Sequence, residues 1–113
     1  MAVTPKALIQ SQQLAATTTT YYTAVNVRTI IDKFTLVNTT AGALTVTVDA
    51  VDSGGTAGAT ERLISARSIA AGETYTCPEI VGHILNPGDS IQASASAATS
   101  ITIRASGREI SGL

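Results

Sequence analysis

Apolar and polar residues alternate along two segments of this chain, and this period of two constrains the fold more than any other feature. Between residues 44 and 50, leucine, valine and alanine alternate with threonine and aspartate. Between residues 90 and 97, isoleucine and alanine alternate with serine and glutamine. Successive residues of a β-strand point to opposite faces, so each segment predicts a strand with one apolar face and one polar, hydroxyl-rich face.

Turn-forming residues separate the apolar segments at intervals of roughly eight to twelve residues, a spacing typical of antiparallel sandwiches. We therefore expect an all-β fold, an antiparallel β-sandwich of about seven to eight short strands, either jelly-roll-like or immunoglobulin-like. The predicted strands include residues 28–38, 44–51, 62–69, 74–77, 90–97 and 100–106. Residues 38–42 and 98–99 are expected to connect hairpins, and the glycine-rich residues 52–58 to form a flexible loop.

One acidic residue interrupts the pattern of the strand predicted at residues 28–38. Asp32 has the same parity as Phe34 and Leu36, so a regular strand would point its carboxylate into the core. Two explanations remain open. A β-bulge shifts the register at Asp32, or Asp32 lies at the open rim of the sandwich.

The amino-terminal segment is uncharged from residue 7 to residue 27. We expect residues 1–15 to form an arm or a first strand, and residues 16–113 to form a single β-sandwich domain. A short helix over residues 6–16 is the less favoured alternative. As an arm, the segment would add a strand to the sheet of a neighbouring molecule. The candidate assembly contacts are its apolar and aromatic side chains, Leu8, Ile9, Leu14, Tyr21 and Tyr22.

Charge and aromatic content favour a protein that assembles with others. Charged residues make up 13% of the chain, against about a quarter in typical domains, so little charge opposes contact between surfaces. The net charge is −1 with the charges scattered, which argues against binding to nucleic acid. No segment has the roughly 18 consecutive apolar residues of a membrane span, and the first residues lack a signal-peptide pattern.

Reactive residues are sparse, and none has the spacing of a known site. Cys77 is the only cysteine, so it can form no disulfide within the chain and is expected to pack as a small hydrophobe. His83 is the only histidine, and no G-x-S-x-G motif accompanies it. Asp49 and Asp52 lack the spacing of a calcium loop, so Asp52 is expected to cap the loop. We predict no catalytic, cofactor or metal site, and hence no enzyme.

Several short runs, taken in order, are similar to those of a known group of proteins. They are residues 35–48, 53–58, 69–74 and 85–93, and the similarity spans roughly residues 15–106. Together they resemble small β-sandwich virion structural proteins of tailed bacteriophages. The resemblance implies a non-enzymatic protein located in the virion and assembled in the host cytoplasm. It implies other copies of the chain as partners, in a trimer or ring, together with major capsid or tail proteins.

The resemblance leaves the place on the virion open. Capsid decoration or cementing of the head is the first expectation, and a tail, neck or baseplate accessory role is the alternative. A receptor- or carbohydrate-binding module is the competing class. Sugar sites usually use exposed aromatic side chains, and the chain has only four aromatic residues. Tyr21 and Tyr22 are adjacent and would face opposite sides of a strand, so they cannot form one stacking platform.

Overall fold

The computed structural model describes residues 2–112 and confirms the all-β sandwich. Nine strands form two antiparallel sheets that pack face to face. In chain order they are β1 (Ala2–Gln13), β2 (Thr19–Thr23), β3 (Arg28–Asn38), β4 (Leu44–Val51), β5 (Arg62–Ile69), β6 (Thr74–Tyr75), β7 (Ile84–Leu85), β8 (Ser90–Ala95) and β9 (Ile101–Ser111). A single 3₁₀ turn, Ala59–Glu61, lies between β4 and β5 in the described chain. No helix among these residues is long and apolar enough to cross a membrane.

The strand order is that of a jelly roll. Sheet A has the order β1-β9-β3-β6, with β7 also paired to β3, and sheet B has the order β2-β8-β4-β5. The pairs are nested along the chain: β1 with β9, β2 with β8, β3 with β6 and β7, and β4 with β5. A chain paired in this way is one long hairpin wrapped into two sheets. Of the two predicted architectures, the structure therefore has the jelly roll.

The strands at residues 28–38, 44–51 and 62–69 have the predicted bounds, but two predicted hairpins are wrong. β3 and β4 lie in different sheets, and so do β8 and β9. Asn38 carries the chain from sheet A to sheet B, because its buried side-chain amide donates to the carbonyl oxygens of Gly42 at 2.8 Å and Ile69 at 2.9 Å. The second crossing turns at Thr99, which has a φ of 54°.

Asp32 sits at a β-bulge, as one of the two explanations predicted. Ile31 pairs with Gly107 and Lys33 pairs with Ser106, so Asp32 is the extra residue on β3. The bulge returns Phe34 and Leu36 to the core while Asp32 stays exposed. β3 and β9 approach each other very closely beside the bulge. A Cβ on Gly107 would lie only 2.1 Å from the carbonyl oxygen of Ile30.

The core lies between the sheets and consists mainly of aliphatic side chains. Phe34, the single phenylalanine, is fully buried at its centre. Other fully buried residues of the core include Leu36, Val48, Ile69, Ile80, Ile101 and Ile103. Cys77 is also fully buried, in agreement with its predicted packing role, but it follows the end of β6 in a loop with a φ of 51°. Burial raises the pKa of its thiol to about 12.

Candidate assembly surface

The five residues expected to contact neighbouring molecules lie mostly inside the chain. Leu8, Ile9, Leu14 and Tyr22 are buried in the core, and Tyr21 is half-buried against it. Leu8 and Ile9 reach the core because β1 pairs with β9 of the same chain along its whole length. Leu14 directly follows β1, and its N–H group donates to the carbonyl oxygen of Ile101. The segment is thus a first strand of the sandwich here, and its apolar side chains stabilise the fold rather than form a surface.

Tyr22 has a second role, because its hydroxyl group joins the two sheets. It donates to the carboxylate of Glu109 and lies 2.6 Å from the Thr29 hydroxyl. Lys6 completes the network with an ion pair to Glu109 at 3.3 Å. Tyr22 belongs to sheet B and the other three to sheet A. Burial of the phenol, together with the adjacent Glu109, raises the pKa of Tyr22 to about 12.

The outer edge of β1 is poorly suited to pairing with another strand. The N–H group of Ile31 donates to the carbonyl oxygen of His83, and the carbonyl oxygen of Ile31 accepts from the N–H group of Gly82. Both backbone groups of Ile31 therefore point toward the loop before β7 and away from β9. The backbone groups of its partner Gly107 must then point toward β1. Because these directions alternate along a strand, the backbone groups of the next residue, Arg108, point toward β3. Pro5 pairs with Arg108 and therefore turns its backbone outward. Since proline has no N–H group, this edge lacks a donor at that position.

Further features of β1 and of the other edge strands hinder pairing with strands of other molecules. β1 carries two register shifts and an exposed lysine, Lys6. The outer strands of sheet B, β2 and β5, are also interrupted by register shifts. β6 and β7 are only two residues long. Proline, lysine, bulges and short edge strands are the devices by which proteins prevent edge pairing. Pairing of another strand with these edges is therefore disfavoured.

One end of sheet A exposes an outer face, which we name the sheet A patch. Thr29 and Ile31 point into the core, so the alternate residues of β3, Arg28 and Ile30, point outward. Residues paired with these two across the sheet share their face. The patch consists of Val3, Pro5, Ile30, Ile84 and Ile110, with the guanidinium groups of Arg28 and Arg108.

Large apolar side chains are unusually exposed on the sheet A patch. Val3 is 53% exposed and Ile84 is 55% exposed, although both lie in strands. Ile30 and Ile110 lie between them and are half-buried. Contiguous apolar side chains on a folded surface mark sites of contact with another protein. Sequence spacing hid this group, because its members come from four strands.

The outer face of sheet A is also positively charged. Four of the seven basic residues lie on it, Arg28, Lys33, Arg104 and Arg108, but only one of the eight acidic residues, Asp32. Arg108 donates from Nε and Nη2 to the two carboxylate oxygens of Asp32, each at 2.9 Å. This hydrogen bonding holds the pKa of Asp32 below its ordinary value. Within residues 2–112, the other three basic side chains of this face form no ion pair.

A polar groove of about 240 Å³ borders the patch at the same end of the molecule. His83, Ile84 and Leu85 line one side of it, and residues 60–63 line the other. Its acidic groups mainly hold loops in place. Asp89, which is buried, accepts from the amides of Ser53 and Asn86 at 2.9 Å each.

Glu61 plays a similar part, because it accepts from the amide of Asp52 at 2.9 Å. The capping role predicted for Asp52 is therefore performed by Glu61 and Asp89. Asp49 is buried and accepts from Nε of Arg62 at 2.9 Å. Among the described residues, no three histidine, cysteine or acidic side chains come together as metal ligands.

Comparison with known proteins identifies the fold and no family. No family model and no curated protein matches the sequence. Among solved structures, a chain of infectious bursal disease virus, Gx strain, is similar, with 18% sequence identity and a TM-score of 0.50. The similarity covers 98% of this chain and 33% of the viral one, so this chain spans about a third of its length. At this identity the similarity shows a shared fold.

Proposed function

We propose that this protein is a non-enzymatic structural component of a virus particle, which acts by binding to other protein surfaces. The sheet A patch carries the proposal, because it exposes apolar and basic side chains on a rigid strand framework. The fold supports it as well. Jelly rolls are common among viral capsid domains, and the similar solved chain belongs to a virus.

More narrowly, we propose decoration of the head of a tailed bacteriophage, with a tail, neck or baseplate position as the alternative. The similarity of residues 15–106 to small phage virion proteins is the reason for this choice. Other copies of the chain and the major capsid protein would be its partners. Its protected edges favour attachment through the sheet A patch over exchange of an amino-terminal arm.

A binding assay on assembled particles tests the proposal. Purified protein is mixed with empty heads or with isolated tails, and the bound fraction is measured by co-sedimentation. We expect binding to heads, and loss of that binding in Ile84→Lys, which replaces an exposed apolar side chain of the patch with a charge. Thr45→Lys is the matched control, because Thr45 is exposed on the opposite face, in sheet B. Binding to tails alone would move the protein to the alternative position, and binding to neither particle would refute the proposal.

A carbohydrate-binding module is the second candidate, and the groove beside His83 favours it. Jelly rolls include lectin domains, and this groove combines polar side chains with the exposed Ile84. A glycan array with the purified protein distinguishes the two functions. Binding to a defined sugar that is lost in His83→Ala would favour the module over the structural role.

A further inference from the structure

We infer that the sheet A patch binds the acidic loop, residues 52–61, of a second copy of this chain. The inference deepens the proposed function, since it names the first partner of the patch. It specifies a contact between two different surfaces of the same chain. Such a contact closes either as a two-fold dimer, in which the patch of each copy holds the loop of the other, or as a larger ring when the rotation between neighbours closes.

Charge disfavours an arrangement in which two patches face each other directly. A two-fold axis through this face of sheet A would bring its three basic residues without an ion pair, Arg28, Lys33 and Arg104, toward the same three of the other molecule. Asp32 cannot compensate for them, because it is already bonded to Arg108. Like charges brought together at an interface disfavour the complex. Charge therefore favours an occupant of the patch that carries negative charge.

The remainder of the same chain supplies that charge. It holds seven of the eight acidic residues and three of the seven basic ones. The acidic loop contains Asp52 and Glu61 and no basic residue, and the side chain of Asp52 is exposed. Its other residues are mostly glycine, alanine, serine and threonine. Such small side chains allow the loop to approach the branched side chains of Val3, Ile30 and Ile84 closely.

The positions of the two surfaces favour a closed assembly. The acidic loop follows Val51, which pairs with Ser90 at the end of the sandwich where β7 lies. Glu61 and Ile84 line the same groove, so the patch and the loop are neighbours. When adjacent surfaces at one end of a molecule bind each other, each copy is rotated relative to the next. The assembly can therefore close as a two-fold dimer or as a larger ring.

The test exchanges the charges of the two surfaces by mutation and measures the molar mass of the protein in solution. No virus particle is present. Light scattering on the full chain measures self-association of the wild type, of Arg28→Glu and of Asp52→Arg. Within the described residues, neither side chain makes an ion pair or a hydrogen bond. We expect a closed oligomer for the wild type and about tenfold weaker association for each single variant. The double variant, which restores opposite charges, is expected to recover the oligomer.

Thr45→Glu on sheet B is the matched control and should leave the mass unchanged, and circular dichroism confirms that each variant folds. A monomeric wild type would overturn the inference, and so would single variants that associate normally. Weakened single variants without recovery in the double variant would also overturn it, because another acidic surface would then be the partner. The proposed function fails separately, in the particle-binding assay.

Discussion

Replacing Gly107 with alanine perturbs the point where three strands of sheet A approach most closely. Gly107 lies in β9, between the bulge of β3 at Asp32 and the first register shift of β1. A Cβ at this position would be 2.1 Å from the carbonyl oxygen of Ile30 and 2.8 Å from Cδ1 of Leu8. Both distances are far below van der Waals contact, and the closer atom belongs to the backbone.

The expected loss of stability follows from these two contacts. Adding a methylene group to a well-packed core usually costs about 1–3 kcal/mol. The value here should lie toward the upper end, because the backbone of β3 cannot rotate away as a side chain could. Alanine in a strand is otherwise favoured over glycine by roughly 0.5–1 kcal/mol. The net destabilisation is therefore about 2 kcal/mol, or a decrease in Tm of roughly 8 °C for a domain of this size.

Urea unfolding at one fixed protein concentration measures this change, because self-association would make the midpoint depend on concentration. We expect a lower midpoint with an unchanged m-value. Gly42→Ala is the matched control, since a Cβ there meets nothing within 4 Å. A Gly107→Ala variant as stable as the Gly42→Ala variant would refute the argument that close strand approach requires glycine.

Three further outcomes are expected. Tyr22→Phe should lower the free energy of unfolding by about 1–3 kcal/mol, because Thr29 and Glu109 lose a buried partner; an unchanged urea midpoint would contradict this. The pKa of Tyr22 is raised to about 12 in the folded protein, so its stabilisation should be complete below the unfolded value near 10 and disappear as the pH rises through 12. Alkaline melts should therefore depend less on pH in Tyr22→Phe than in the wild type. Cys77 is fully buried and its pKa is raised to about 12, so iodoacetamide should label it only after denaturation; rapid labelling of the native protein would disprove its placement. Thr99→Gly should raise the unfolding temperature slightly, because a β-branched residue is strained at a φ of 54°; a lower temperature would indicate that the threonine hydroxyl matters more than the strain.

Alternation predicted the long strands well because it reports which face of a strand is buried. It carries no information on which strands are neighbours. The segment after Asn38 has the composition of a hairpin turn, yet the two bonds of the Asn38 amide carry the chain to the other sheet. Similarly, Leu8 and Ile9 are adjacent and both buried, which a regular strand does not allow. The register shift that permits it depends on β9, about a hundred residues later in the chain.

The candidate assembly surface was missed for the same reason. Val3, Ile84 and Ile110 come from three different strands and are brought onto one face by the pairing of β1 with β9 and of β9 and β7 with β3. One local signal was present. Ile30 and Ile31 are adjacent in a strand, so one of the two had to face outward. An isoleucine that must face outward is a candidate for an exposed apolar surface, whereas the apolar residues of the amino-terminal segment are buried in this chain.

The nested pairing has a consequence for how the protein folds. In sheet A, β9 lies between β1 and β3, and it follows every other strand of the described chain. β1 and β3 therefore have no long partner until β9 inserts between them, and closing that loop of about a hundred residues carries a large entropic cost. Nascent chains should remain incompletely structured and sensitive to proteases until this final insertion, which then completes the sheet A patch in the same step.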